Sequence, residues 1–319
     1  MPFSFHMHSG QFCRHASGSL EAVIQAAIDK GMIAVGLSEH VPRSRAQDLY
    51  PEESDMAPSD LSTAFAEYVT EAQRLRAKYS GQIDILIGAE TEHITAASLQ
   101  EAKQLRAYYQ LDYLVGSLHH IDEMPLDFSQ ASYDAIVLKY GGDRAAMFRR
   151  YFDLQLDLLR ELQPEVIGHF DLVRIFHPYG NTTAGLAEID PLEDAFSEVR
   201  QLAVRNIEYA IGYGAIFEIN SRAWKKGLRD AYPQRDLLAE ILSRGGRVTI
   251  SDDSHGAQDV CMFYGRLAGY LREMDIDRLH YLARTPEGAV EVRVLEDALG
   301  HGFWAANGFV SVSVSAEEE

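Results

Sequence analysis

The sequence has 319 residues, 46% of them hydrophobic, with two cysteines and a formal net charge of −19. No apolar run reaches the roughly 18 residues of a membrane span, and two cysteines make no disulfide framework. An excess of carboxylates repels phosphate backbones, so membrane-spanning, disulfide-scaffold and broad nucleic-acid-binding classes are excluded. Met1 to His8 lacks a basic stretch followed by an apolar one, so no signal peptide is expected, and a cytoplasmic, reducing compartment follows.

Short apolar runs alternate with longer amphipathic stretches along the chain. The pattern predicts a strand over Phe3–His6, a helix over Leu20–Lys30 and a strand over Ile33–Ser38. Next come a helix over Leu61–Lys78, a strand over Ile83–Gly88, a helix over Ser98–Tyr108 and a strand over Tyr113–Ser117. The stretch from His120 to Asp143, with Pro125 and Gly141-Gly142, reads as a long connection, of the kind that covers a site or forms a local insertion. A helix over Arg144–Leu162, a strand over Val166–His169, a helix over Leu192–Tyr213 and a strand over Ala215–Ile219 follow. Helix Gln234–Arg244, strand Arg247–Ser251 and helix Cys261–Arg272 complete the alternation. Beyond Asp275 the expectation is a strand near Arg278–Ala283 and a helix near Val290–Leu299. Strands alternating with helices imply βαβ units and a parallel sheet, closed into a barrel in preference to an open doubly wound sheet, which periodicity alone does not exclude. Residues 1–319 read as one barrel domain with a C-terminal strand and helix extension and a short acidic tail over about 307–319.

The chemistry-bearing residues recur at one place, the C-terminal end of each predicted strand, where parallel α/β folds build their sites. His6 and His8 follow strand one, and Glu39-His40 strand two. Glu90, with Glu92 and His93 beyond it, follows strand three. His119-His120 closes strand four, and His169, followed by Asp171, closes strand five. Glu218 and Asn220 mark strand six; Asp252, Asp253 and His255 mark strand seven. Only 12 histidines are available in the whole chain, so chance does not place one at nearly every strand end.

Imidazole and carboxylate donors suit Zn, Fe and Mn, and two cysteines exclude a thiolate cage. The candidates His6, His8, His15, His40, Glu90, His119, His169, Asp253 and His255 outnumber the four donors of a single zinc. They fit two or three divalent ions with bridging carboxylates. Any one of these histidines, taken alone, is more often a structural, hydrogen-bonded residue. The pairs carry the inference: alternation puts His6 and His8 on one face of a strand, and Asp253 and His255 likewise. By the same pleat Asp252 points away and His120 opposes His119. His177, His280 and His301 have no such placement, and Cys13 reads as a small buried residue.

These motifs resemble the PHP family, the polymerase and histidinol phosphatase domains. His6-Met7-His8-Ser9 is similar to the family's H-x-H-T/S, and Ser38-Glu39-His40 to its T-D-H with Glu39 in the Asp position. Gly88-Ala89-Glu90 and Gly116-Ser117-Leu118-His119 match the motifs of strands three and four. Gly168-His169-Phe170-Asp171-Leu172-Val173-Arg174 is similar to G-H-x-D-x-x-R, and Asp253–His255 to D-x-H. Gln11-Phe12-Cys13, the stretch ending in Pro125-Leu126-Asp127-Phe128, and Glu218-Ile219-Asn220 with Lys225-Lys226-Gly227 and Tyr232-Pro233 resemble the stand-alone, fungal-type histidinol-phosphatase subgroup. The resemblance spans about Pro2 to Arg272.

The resemblance implies a distorted seven-stranded (β/α)7 TIM-like barrel holding two or three divalent ions. It implies hydrolysis of L-histidinol phosphate to L-histidinol and phosphate in histidine biosynthesis, with a small phosphorylated substrate as partner and neither nucleic acid nor membrane. Glu90, Asp253 and His255 stand at the catalytic centre, with Glu90 as a bridging ligand. His6, His8, Glu90 and Asp253 surround one ion, while His40, His119 and His15 hold the others and His169 and His255 complete the set. Arg174 is the first choice for the substrate phosphate, with Arg222, Lys225 and Arg235 as further candidates. Asp171, His177 and a metal-bound water stay open as proton donors, and Trp224 or Phe128 as packing for the imidazole. Three rival readings remain at this stage: a phosphoesterase for another ester or nucleotide, a non-catalytic metal-binding barrel, and an amidohydrolase-type barrel. The glutamate closing strand three and the histidine closing strand four disfavour the last. Oligomeric state has no sequence signal.

Overall fold

The structure, a computed structural model, describes residues 2–177 and 195–309. The chain opens with β1 (Phe3–Ser4), breaks at Phe5 and His6, and resumes as β2 (Met7–His8). Then come α1 (Leu20–Asp29), β3 (Ala34–Leu37), α2 (Pro58–Lys78), β4 (Asp84–Glu90), α3 (Ala96–Tyr109) and β5 (Tyr113–Gly116). A hairpin of β6 (His120–Ile121) and β7 (Met124–Pro125) and a helix α4 (Gln130–Lys139) precede α5 (Arg144–Leu162) and β8 (Val166–Ile167). The chain continues with α6 (Ala195–Tyr213), β9 (Ile216–Asn220), α7 (Arg235–Ser243), β10 (Arg247–Ser251), β11 (Ser254–His255) and α8 (Tyr264–Glu273). It closes with β12 (Leu279–Arg284), β13 (Val290–Leu295) and α9 (Gly302–Ala306).

One 7-stranded sheet runs in chain order, β1-β3-β4-β5-β8-β9-β10, and every neighbouring pair is parallel. The strands are apolar on both faces, as in β3, whose four residues are all buried; this is the pattern of a parallel sheet covered by helices. The edge strands meet to close the sheet into a barrel. Ser4 Oγ donates to Asp252 Oδ1 at 2.8 Å, and β2 pairs in parallel with β11, Met7 with Ser254 and His8 with His255. The helices are fixed by local chemistry. Ser19, Thr95, Ser129 and Asp143 cap α1, α3, α4 and α5 by accepting from backbone N–H groups of the first turn.

Tyr113 fills the barrel. Its hydroxyl donates to Phe5 O at 3.0 Å and lies 3.2 Å from Leu37 O. The ring occupies the space left by two glycines: a Cβ on Gly88 would stand 2.4 Å from the ring, and one on Gly36 2.3 Å from the hydroxyl oxygen. The opposite end of the barrel is covered by the antiparallel hairpin β12–β13, whose Tyr281 ring stacks on Phe3 at 5.0 Å between centroids.

Three expectations change, and a fourth, left open between a cover and a local insertion, resolves to the insertion. The helix expected over Val290–Leu299 is the strand β13, because Val290-Glu291-Val292-Arg293-Val294 alternates β-branched and charged residues with period 2. Helix α2 starts at Pro58, not Leu61: proline suits a first helical position, and Asp60 accepts from Ala57 N at 2.8 Å. Helix α8 starts at Tyr264, not Cys261, since Cys261 and Phe263 hold left-handed φ of 63° and 59°. The connection from His120 to Asp143 is a packed insertion, with Leu126 fully buried and Tyr133 Oη donating to Val173 O at 2.9 Å. The expected start of the helix at Leu192 and most of the expected acidic tail lie outside the described residues.

Gly88→Ala should overpack the Tyr113 ring and destabilise the fold by about 1–3 kcal/mol, despite the better intrinsic preference of alanine for a strand. Denaturant unfolding measures this, and unchanged stability would show that the ring has room to move.

Candidate metal centre

The barrel brings the expected donors to one end. His6 follows β1 and His8 sits in β2; His40 follows β3 and forms an isolated parallel bridge with Glu90, the last residue of β4. His119 follows β5, His169 follows β8, and Asp253 and His255 follow β10. His15 reaches in from the turn between β2 and α1.

Glu90 lies at the centre, buried. Its Oε1 is 3.0 Å from His6 Nε2, 3.0 Å from His169 Nε2 and 3.3 Å from His119 Nε2. Its Oε2 is 3.3 Å from His8 Nε2 and 3.0 Å from His40 Nδ1. The two oxygens thus face two sets of imidazoles, as a bridging carboxylate requires. Asp253 Oδ1 is 3.7 Å from both His6 Nε2 and His8 Nε2, and 3.4 Å from His255 Nδ1. His15 Nε2 is 3.3 Å from His40 Nε2 and 3.2 Å from Cys13 Sγ. Four overlapping groups have donor atoms within 4.8 Å of one another: His6, His8 and Asp253; His6, Glu90 and His169; His8, His40 and His255; and Cys13, His15 and His40.

These donors fit divalent cations. The buried His6 Nε2, His8 Nε2 and His40 Nδ1 have no hydrogen-bond partner, although carboxylate oxygens stand close by. Leaving a buried polar atom unpaired costs about 1–3 kcal/mol. Several such atoms aimed at one space form a site for a positive ion, and imidazole with carboxylate is the donor set of Zn, Fe or Mn.

Electrostatics agree. Burial disfavours the imidazolium of His6, but Asp253, Glu90 and Glu218 outweigh it and hold its pKa well above the ordinary value. His119 is likewise raised, with Glu92 and Glu90 overriding burial. Burial would raise Glu90, but His6, His119 and His40 hold it well below the usual carboxylate range. His15 moves the other way, down to about 2, through burial and then the charges of His40 and His8.

A second ring of carboxylates, placed at the strand ends in the sequence but not counted among the candidate ligands, faces the far nitrogens of the imidazoles. Glu218 Oε2 accepts from His6 Nδ1 at 3.0 Å and from Ser251 Oγ at 2.8 Å; its Oε1 accepts from His169 N at 2.5 Å. Glu92 is 2.7 Å from His119 Nδ1 and 3.1 Å from His120 Nδ1. Glu39 is 3.7 Å from His8 Nδ1 and accepts from Ser9 N and Oγ at 2.9 and 2.7 Å. The available signal was position, since each lies beside or two residues from a strand-end candidate. Such partners set which imidazole nitrogen is free to bind metal.

The Asp253 and His255 side chains meet for a reason other than the pleat. Strand β10 ends at Ser251 and Asp253 turns in with φ 47°. Asp252 is held away by Ser4 Oγ at 2.8 Å and Cys261 N at 2.7 Å. His6 likewise lies in the break between β1 and β2 and His8 in β2, so the two do not share one strand.

A pocket of about 290 Å³ opens over the cluster; Arg222, Lys226, Tyr50, Asp127, Phe128 and Tyr232 line it with the donor residues. The expected phosphate ligands are largely corrected. Arg174 is buried, with Nη1 2.7 Å from Asp236 and 3.5 Å from Asp171, because the turn Leu172–Arg174 carries it away from the pocket. Lys225 Nζ sits 3.0 Å from both oxygens of Asp259. Arg235 pairs with Asp230 at 2.7 Å. Arg222 remains, its Nη1 donating to Asp253 O at 2.9 Å, and Lys226 takes the place expected of Lys225. Asp171, raised to about 6 by burial, and His177, lowered to about 4 by burial, lie off the pocket lining. Trp224 is buried, with Nε1 donating to Arg229 O at 3.1 Å.

Comparison with known proteins gives three findings. Residues 4–222 match the family model described as PHP domain. A probable histidinol-phosphatase of Schizosaccharomyces pombe is 43% identical over 316 residues, covering 98% of this chain and 100% of its own; a histidinol-phosphatase of Saccharomyces cerevisiae is 29% identical, covering 95% and 99%. The crystal structure of histidinol phosphate phosphatase from Lactococcus lactis, complexed with Zn, L-histidinol and phosphate, shares the fold: its TM-score is 0.65 at 20% identity, covering 88% of this chain and 97% of that one.

Glu90→Gln should keep the fold, read by circular dichroism, and lose most bound metal, read by elemental analysis; a full metal complement would remove Glu90 from the ligand set. Glu218→Gln should weaken metal retention about 10- to 100-fold by releasing His6 Nδ1. The raised His6 and His119 mean that metal must displace protons. Retention against a chelator should therefore weaken as pH falls through neutrality, and a pH-independent affinity would contradict this.

Proposed function

The chain belongs to the PHP domain family, and we propose that it is a metal-dependent phosphomonoesterase that hydrolyses L-histidinol phosphate to L-histidinol and phosphate in histidine biosynthesis. One observation carries the substrate: 43% identity along 98% of the chain with a probable histidinol-phosphatase. The imidazoles and carboxylates around Glu90 supply the chemistry that such a reaction needs.

His6, His8, Glu90 and Asp253 would hold one divalent ion. Glu90 with His119 and His169 would hold a second, and His15, His40 and His255 a third, with Zn, Fe or Mn as the metal. Such ions neutralise a phosphoryl group and lower the pKa of water toward about 7, which supplies a nucleophile at neutral pH. Phosphate monoesters are among the slowest biological bonds to hydrolyse unaided, so charge stabilisation is the main demand on the protein.

The chain's own groups meet that demand in steps. Glu218 fixes the ring orientation of His6, Glu92 stands 2.7 Å from His119 Nδ1, and Glu39, held by Ser9, lies 3.7 Å from His8 Nδ1. Arg222 and Lys226 bring positive charge to the pocket wall and draw the phosphate towards the cluster. Arg222 is already oriented by Asp253 O and Asp259, so little side-chain freedom is lost on binding. The Tyr232 hydroxyl, buried without a partner in the pocket wall and kept protonated by burial, is a ready donor to substrate oxygen. Among the described residues no helix is long and apolar enough to cross a membrane, and the proposed place of action is the cytoplasm.

Phosphate release from L-histidinol phosphate should exceed release from nucleotides and sugar phosphates, vanish on chelation and return with added metal. Metal-dependent release from a different ester would keep the site and replace the substrate. No release from any ester by metal-loaded protein would end the phosphatase reading.

A further inference from the structure

The metal cluster and its carboxylate ring leave one pocket carboxylate unexplained. Asp127 lines the pocket and, among the described residues, is in no hydrogen bond or ion pair. The other acid in the wall outside the cluster, Glu52, is 3.2 Å from His15 Nδ1. The negative charge of Asp127 reaches the hydroxyls of Tyr50 and Tyr232, both in the same pocket wall, and adds to the burial that keeps them protonated. Its neighbour Phe128 also lines the pocket while its side chain is largely in solvent, 52% exposed.

The pair is held in place from both sides. Leu126 is fully buried and its N–H donates to His119 O at 2.8 Å. Ser129 caps α4 by accepting from Ser132 N at 3.1 Å. Asp127 and Phe128 therefore project from two fixed points, one of them tied directly to a residue of the cluster.

An unpaired carboxylate in a pocket for phosphate esters is unfavourable on its own, because it repels the phosphate that Arg222 and Lys226 attract. It becomes favourable when the substrate brings a cation with its phosphate, and it then rejects esters that bring none. We propose that Asp127 and Phe128 form the subsite for the cationic half of the substrate, Asp127 pairing with the ammonium group and the Phe128 ring packing on the imidazole plane. This rests on the reading of the substrate as L-histidinol phosphate. The hairpin and α4 inserted after β5 thus set specificity, while the strand ends carry the chemistry.

The test compares kcat/KM of the metal-loaded full chain on L-histidinol phosphate and on its des-amino analogue, for the wild type and Asp127→Asn. Asparagine keeps the shape and removes the charge, and metal content reports an intact site. The preference of the wild type for the amine-bearing ester should fall about 10- to 100-fold in Asp127→Asn, the usual worth of a hydrogen bond to a charged group. Phe128→Ala should raise KM for both esters, since both carry the imidazole. A wild type that prefers L-histidinol phosphate and an Asp127→Asn variant that keeps the same preference would overturn the subsite alone. A wild type that hydrolyses p-nitrophenyl phosphate but neither imidazole ester would overturn the substrate reading and the subsite with it.

Discussion

A buried carboxylate ringed by imidazoles governs the design of this molecule. Removing an ionised carboxylate from water costs several kcal/mol even after the protein relaxes, and Glu90 is buried at the centre of the cluster. It stays ionised because nitrogens of His6, His8, His40, His119 and His169 stand 3.0–3.3 Å from its oxygens. Those rings come from separate strand ends, so the barrel must hold every strand at a fixed height. A shift of one residue in any register would turn a donor away and leave the carboxylate partly unpaired.

The closure of the barrel serves the same constraint. The first and last strands of the sheet meet through Ser4 and Asp252, and above them β2 pairs with β11. That short pair sets His8 beside His255, with ring centroids 4.6 Å apart. The seam of the barrel and the wall of the site are thus the same residues. At the other end Tyr281 of the C-terminal hairpin packs on Phe3, and the hydrophobic core runs unbroken from Phe3 to Trp304. The hairpin supports the strand whose end presents His6.

The parallel barrel was legible because each strand is a short apolar run ending in a donor, and the runs occur in sheet order. The gathering of the candidate donors at one end was legible for the same reason. What escaped depended on contacts distant in sequence. Arg174 reads as a phosphate ligand until Asp236 is seen to take its guanidinium. Lys225 and Lys226 are equivalent in sequence; Asp259, from a turn 34 residues later, holds Lys225 and leaves Lys226 to the pocket. Asp252 and Asp253 are sorted by a left-handed turn and by the pull of Ser4 and Cys261, not by alternation. The helix expected near Val290 failed on local grounds: the β-branched, period-2 alternation of Val290–Val294 was visible in the sequence and favours a strand.

A net charge of −19 is at first sight at odds with a phosphorylated substrate. The structure resolves this by where the acids are. Glu39, Glu90, Glu92, Glu218 and Asp253 all lie buried in or around the cluster, where two or three divalent ions would offset them nearly charge for charge. Many of the remaining acids are matched by surface arginines and lysines and contribute little beyond a Debye length of about 8 Å. With its ions bound, the pocket presents Arg222 and Lys226 against a neutralised floor. Part of the acidity of the chain therefore belongs to the candidate metal site, and the field that an incoming phosphate meets is set by the few pocket groups that the cluster leaves over.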